Sequence, residues 1–197
     1  MTTAAVKPAG FTPLLPPYEL YKDMAAIYAF TCSHCGKRHE GSPSFAFQAP
    51  SYYNELTEAE KQSIARLSDD LCEIRHPEGT DYFARVLLEI PIHCISEPFL
   101  WGVWVSLSQK SFERYTSTWG EHDESDSYFG WFSNRLPHYP DTINLKTNVR
   151  PRNGGLRPCL KLQPCEHPLA IHFRSGLTVQ EAQAIAEAAM HGARTLG

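Results

Sequence analysis

Strand candidates outnumber helix candidates in this 197-residue chain and are joined by short connections, which predicts an α+β fold with a mostly antiparallel sheet. About three helices are expected, two of them marked by capping boxes. No internal repeat or sharp compositional change divides the chain, and its length suits one well-buried core.

In chain order, residues 1–23 hold Pro8, Pro13, Pro16 and Pro17, which remove backbone donors and disfavour helix. They predict a proline-rich arm, followed by a single domain over 24–197. "AIYAFTC" and "SFAFQ" predict short strands. "LTEAEKQSIARL" predicts a helix, with Thr57 and Glu60 as capping box and Ile64 and Leu67 on one face. "LCEIR", "DYFARVLLEIPIHC" and "FLWGVWVSL" are strands by composition and alternation. In the last, Trp101, Val103 and Val105 share one face and Trp104 lies on the other. "SQKSFERYTSTW" predicts a second helix capped by Ser108. "YFGWFS", "TINLKTNV", "RPCLKLQ" and "LAIHF" predict further strands, with Asn153-Gly154 as a hairpin turn. The closing helix, about 178–191, starts at the Thr178–Glu181 capping box, and Val179, Ala182, Ile185, Ala186 and Ala189 line its apolar face.

A net charge of −4 gives no general pull toward nucleic acid or an anionic membrane, so neither partner is expected. No apolar run reaches the roughly 20 residues of a spanning helix. The first residues lack the uninterrupted apolar core of a signal peptide, so a reducing compartment, the cytoplasm, is expected for the six cysteines. There a close cysteine pair serves metal binding or catalysis more often than a disulfide.

That pair lies in "TCSHCGKRHEG". A Cys-x-x-Cys-Gly turn aims two thiolates at one point, and the glycine lets amide N–H groups face the sulfurs. A zinc-knuckle-like turn holding structural zinc follows, with Cys32 and Cys35 as ligands. His39, four residues beyond Cys35, and Cys72, which opens a strand after Asp69-Asp70, are the candidates to complete the tetrahedron. His34 lies inside the pair and points away. Cys159 and Cys165 make poor geometry for a second knuckle. The alternatives are buried or free thiols, or a redox pair, although no helix starts here as thioredoxin-like chemistry requires.

The segments "CSHCGKRHEG", "LSDDLCEI", "DYFARVLLEIPI", "WGVWVSLSQKSFERY", "YFGWFSNRLPHYPDTINLKT", "RPCLKL" and "HPLA" occur in that order. They closely resemble the bacterial family known as domain of unknown function 2199, over nearly all of the chain beyond its arm. The resemblance implies a bacterial source and brings no activity with it.

Trp104 and Trp131 stand out in a dense aromatic block, and Arg150, Arg152 and Arg157 in a basic stretch without an acid. These five are the candidate binding residues. The Trp104 face is expected to be covered by a helix such as the terminal one; left open, it would form a groove. The basic stretch could hold an acidic protein partner or a phosphate, although a solvated hairpin is the plainer explanation. No catalytic residue is assigned. Asp69-Asp70, His138 with Asp141, and Glu166-His167 are scattered acid–base candidates without a nucleophile or phosphate-loop context. The expected function is a zinc-stabilised, non-catalytic binding module with a protein partner. The alternative is a small hydrolase- or transferase-like enzyme using a carboxylate–histidine pair.

Overall fold

The computed structural model describes residues 27–123 and 125–192; the proline-rich arm lies outside these described residues. A small hairpin, β1 (Ala29–Thr31) with β2 (Arg38–Glu40), precedes everything else and pairs Phe30 with His39. The chain then forms β3 (Ser44–Ala46), α1 (Ser51–Asn54), α2 (Glu58–Ser63), β4 (Ala65–Leu67), β5 (Leu71–His76), β6 (Gly79–Ile90) and β7 (Phe99–Leu107). After α3 (Gln109–Ser117) come β8 (Tyr128–Phe132), β9 (Lys146–Arg150), β10 (Cys159–Leu162), α4 (Pro168–Ser175) and α5 (Val179–His191).

The long strands β6 and β7 organise the molecule. They pair antiparallel from Tyr82–Leu107 to Ile90–Phe99, and each has two further neighbours along its length. The second half of β7 passes to β8, which continues antiparallel through β9 to β10. Cys159 of β10 then lies parallel beside Leu87 of β6, where the Leu87 N–H donates to Pro158 O at 2.9 Å. Five strands thereby close into a barrel. The first half of β7 carries β3 in parallel, and the first half of β6 carries β5 and then β4. Antiparallel pairing dominates, as expected, but β3–β7 and β10–β6 are parallel.

Strand alternation sorts the side chains into two layers, because successive residues point to opposite sides. Trp101, Val103 and Val105 point into the main core with Val86, Leu88, Val149 and Leu160, and α5 closes it with Ala182, Ile185 and Ala186. Trp104 is fully buried in a second, smaller core with Cys72, Ile74 and Phe83. Its cover is Phe47, Tyr52, Tyr53, Leu56 and Ile64 rather than the terminal helix. The Trp104 indole N–H donates to Phe47 O at 3.1 Å and its backbone N–H to Asn134 Oδ1 at 2.7 Å. Trp104 is therefore a core residue and not an exposed binding anchor.

Among the described residues five helices stand where about three were expected. Both predicted capping boxes form, at Thr57–Glu60 and Thr178–Glu181, and Ser108 caps α3. The four-residue α1 has no side-chain cap and left no signal. "LAIHF" is helical because Pro168 occupies the first turn, where its missing N–H costs nothing, and His167 Nδ1 accepts the Leu169 N–H at 3.1 Å. A short apolar run suits strand or helix equally, and here the start signal decides. The strand expected over 142–149 begins only at Lys146, since Asn144 adopts the left-handed region and Thr142 turns the chain by donating to Asn134 O. Helix α2 stops at Ser63, and Leu67 belongs to β4.

Candidate metal centre

The knuckle closes as its spacing implies. Gly36 takes a φ of +67°, its N–H donates to Cys32 O at 2.9 Å, and the Cys32 N–H donates to Lys37 O at 2.9 Å. The chain then returns as β2, which brings His39 opposite Phe30, and the two rings stack at 5.2 Å. His39 Nε2 lies 3.7 Å from Cys35 Sγ.

The remaining wall comes from the far end of the chain. With α5 started by its Thr178 cap, Gln183, Glu187 and His191 fall four residues apart on one stripe, which faces the hairpin. Gln183 Nε2 donates to Thr31 O at 3.3 Å. Glu187 accepts the Ser33 N–H and the Ser33 hydroxyl, each at 2.7 Å. One turn further on, His191 Nε2 sits 3.1 Å from Cys32 Sγ. The sulfurs of Cys32 and Cys35 and a ring nitrogen of His191 all lie within 4.8 Å of one another, so this trio can hold a metal ion.

Cys32, His34 and Glu187 also lie within that distance of one another. Both Glu187 oxygens already serve Ser33, however, so its carboxylate positions the knuckle. The Ser33 N–H, the Ser33 hydroxyl and the Gln183 amide hold its pKa down to about 2. Cys35 is exposed, and its pKa is lowered to about 7, mainly by the hydrogen bond from His39 and also by the Lys37 N–H. Thiolate is the ligating form, and the site favours it.

The expected ligand Cys72 is not brought here. It lies on β5 in the second core, where burial pushes its thiol up to about 12, a value that suits a protonated apolar side chain. His191 lies beside the cysteine pair instead, carried by a helix that local spacing in the knuckle does not reveal. His34 stacks on His191 at 5.0 Å. With His138, Ala184, Glu187, Ala188 and Gly192 these rings line a hollow of about 420 Å³.

The other candidates are dispersed. Arg157 donates to Asp70 at 2.6 Å, and Arg152 donates to Arg157 O at 2.6 Å and pairs with Glu89 at 3.4 Å. The acids of the basic stretch are thus supplied by β6 and by the turn before β5, and both side chains are engaged within the chain. Arg150 and Trp131 are exposed. Asp69 offers its carbonyl to Arg85. Asp141 accepts the Ile143 N–H and lies 3.6 Å from Arg135, while His138 faces the hollow. His167 caps α4. No helix among the described residues is long and apolar enough to cross a membrane.

Comparison with curated proteins and with solved structures finds no match. A family model described as "Uncharacterized protein conserved in bacteria (DUF2199)" matches residues 31–177, which include Cys32, Cys35 and His39 and end just before α5. The match spans most of the chain, and the protein belongs to this bacterial family.

Proposed function

We propose that the protein is a non-catalytic binding module in which one structural zinc ion staples the terminal helix to the first hairpin. Cys32, Cys35, His39 and His191 are its ligands. The observation that carries this reading is the convergence of two thiols and the His191 ring within 4.8 Å, with His39 3.7 Å from Cys35. Ligand atoms on a tetrahedral zinc stand roughly 3.3–3.8 Å apart, and a Cys₂His₂ set suits its borderline softness. Cys32–His191 at 3.1 Å and Cys35–His39 at 3.7 Å are close to that separation. Four protein ligands leave no position for water or substrate, which makes the metal structural.

The enzyme alternative has one observation in its favour, the hollow into which His34, His138 and His191 converge. Its one carboxylate, Glu187, lies 3.8 Å from His34 but is held by two hydrogen bonds from Ser33, and Asp141 is turned to Ile143 and Arg135, so among the described residues no carboxylate pairs with His138 there. Elemental analysis of protein purified without added metal tests the zinc reading. About one zinc per chain, with Cys32 and Cys35 protected from alkylation until a chelator is added, is expected. Absence of zinc with both thiols freely alkylated in the folded protein contradicts it.

A further inference from the structure

The outside of the barrel is covered in one sector and open in another. Over β6 and β7 the second core seals Phe83 and Trp104. Over β8, β9 and β10 no described element does so. There the alternation places Phe129 and Trp131 outward, 43% and 39% exposed, while Tyr128, Gly130 and Phe132 point inward. The two rings meet edge to face at 5.1 Å. Gly130 is required on the inner side, because a Cβ would collide with Ser106 O and Val105 Cγ1.

Register extends this outward face across the neighbouring strands. Trp131 is opposite Lys146, Phe129 is opposite Asn148, and Asn148 is opposite Lys161. Arg150, two residues beyond Asn148, points the same way. Lys146, Arg150 and Lys161 are exposed, and none of them is in an ion pair among the described residues. The three strands contain no acid. Two uncovered aromatic rings beside three unneutralised cations and one amide therefore share a single sheet surface. The nearest outward carboxylate on β6, Glu89, is paired with Arg152.

We propose that this β8–β9–β10 face binds single-stranded nucleic acid, with bases stacked on Phe129 and Trp131 and phosphates held by Lys146, Arg150 and Lys161. The inference rests on the binding-module reading and names its ligand class. Aromatic platforms flanked by cations are the chemistry of single strands, since any base offers a π-face and the backbone carries the complementary charge. Asn148, between the rings and Lys161, offers donors and an acceptor to a base edge. A duplex hides its base faces and would leave both rings unused. An acidic protein would engage the cations and leave the aromatics without a role. The chain's net charge of −4 does not oppose this, because the negative groups lie elsewhere and the face itself is basic.

The test is fluorescence anisotropy of a labelled 12-nucleotide mixed-sequence DNA and the same RNA, titrated with the metal-loaded full chain at several salt concentrations. Binding is expected, weakening with salt at a log–log slope of about −2 for three phosphate contacts. Trp131→Ala should weaken it roughly tenfold or more, and Phe129→Ala by a similar factor. Lys146→Glu should weaken it and flatten the slope, and it serves as the second variant should an aromatic substitution disturb folding. The inference is overturned by no binding to either oligonucleotide at low salt, or by binding that neither aromatic substitution changes. Tighter binding to a blunt duplex, or displacement of the oligonucleotide by a poly-glutamate peptide at equal charge concentration, also overturns it. Zinc content measured on the same samples separates the two readings: loss of binding with zinc retained removes only the ligand class.

Discussion

Ser33 and Glu187, 154 positions apart, are joined by two hydrogen bonds of 2.7 Å in which the Ser33 N–H and hydroxyl both donate to one carboxylate. This contact ties the end of α5 to the knuckle, one turn before His191 reaches Cys32. Hydrogen bonds to an ionised group are stronger than neutral ones and more directional in effect, so they suit a positioning role.

Glu187→Ala removes both bonds and leaves the ligands in place. Metal affinity should fall about 10–100-fold, as for other groups that orient ligands without touching the metal. Competition against a chromophoric chelator measures it. In chelated protein the same carboxylate gives a pH signature. Its pKa is depressed to about 2, so its contribution is present above the ordinary carboxylate range and is lost as pH falls from there toward about 2. The stability advantage of the wild type over Glu187→Ala should shrink over that window in thermal melts.

Thiol reactivity should separate the cysteines. In chelated protein Cys35 is exposed with a pKa of about 7, and its alkylation rate should titrate with a midpoint near that value. Cys72 is buried with its thiol pushed up to about 12, and it should stay unmodified until the protein unfolds. Mass spectrometry of timed alkylation reads both. Cys72 reacting at the pace of Cys35 in folded protein would place it outside the second core.

Trp104→Ala empties the centre of that core and leaves Phe47 O without its indole donor. The expected loss is about 3–5 kcal/mol, read from denaturant midpoints. An unchanged midpoint would mean that the ring is not covered.

Gly130→Ala puts a methyl group against the β7 backbone at Ser106 and against the Val105 side chain. The barrel must open slightly there, and a destabilisation of about 1–3 kcal/mol is expected in the same assay. Gly36→Ala meets no atom but is strained at a φ of +67°, and its effect should fall on metal affinity.

Local chemistry was legible in the sequence, and distant partnership was not. The Cys32–Cys35 pair and the nearness of His39 to Cys35 follow from spacing within eight residues, because a tight turn and a two-stranded hairpin fix where these side chains lie. His191 lies at the far end of the chain, and only the four-residue ladder Gln183–Glu187–His191 on a polar stripe of α5 hinted at a second use for that helix. Cys72 misled because a cysteine opening a strand looks the same whether it faces a metal or a core. Arg152 and Arg157 looked free because Glu89 and Asp70 are brought to them only by β6 and by the turn before β5. The Trp101/Trp104 division was visible because alternation is a local rule. Barrel closure was not, since it depends on one parallel pairing, Cys159 with Leu87.

Zinc-edge X-ray absorption on the protein as purified reads the proposed ligand set itself. Two sulfurs at about 2.3 Å and two nitrogens at about 2.0–2.1 Å are predicted. His191→Ala should lower the nitrogen count by one and Cys72→Ala should leave the spectrum unchanged. Three sulfurs in the wild type, or a spectrum indifferent to His191→Ala, would contradict the account.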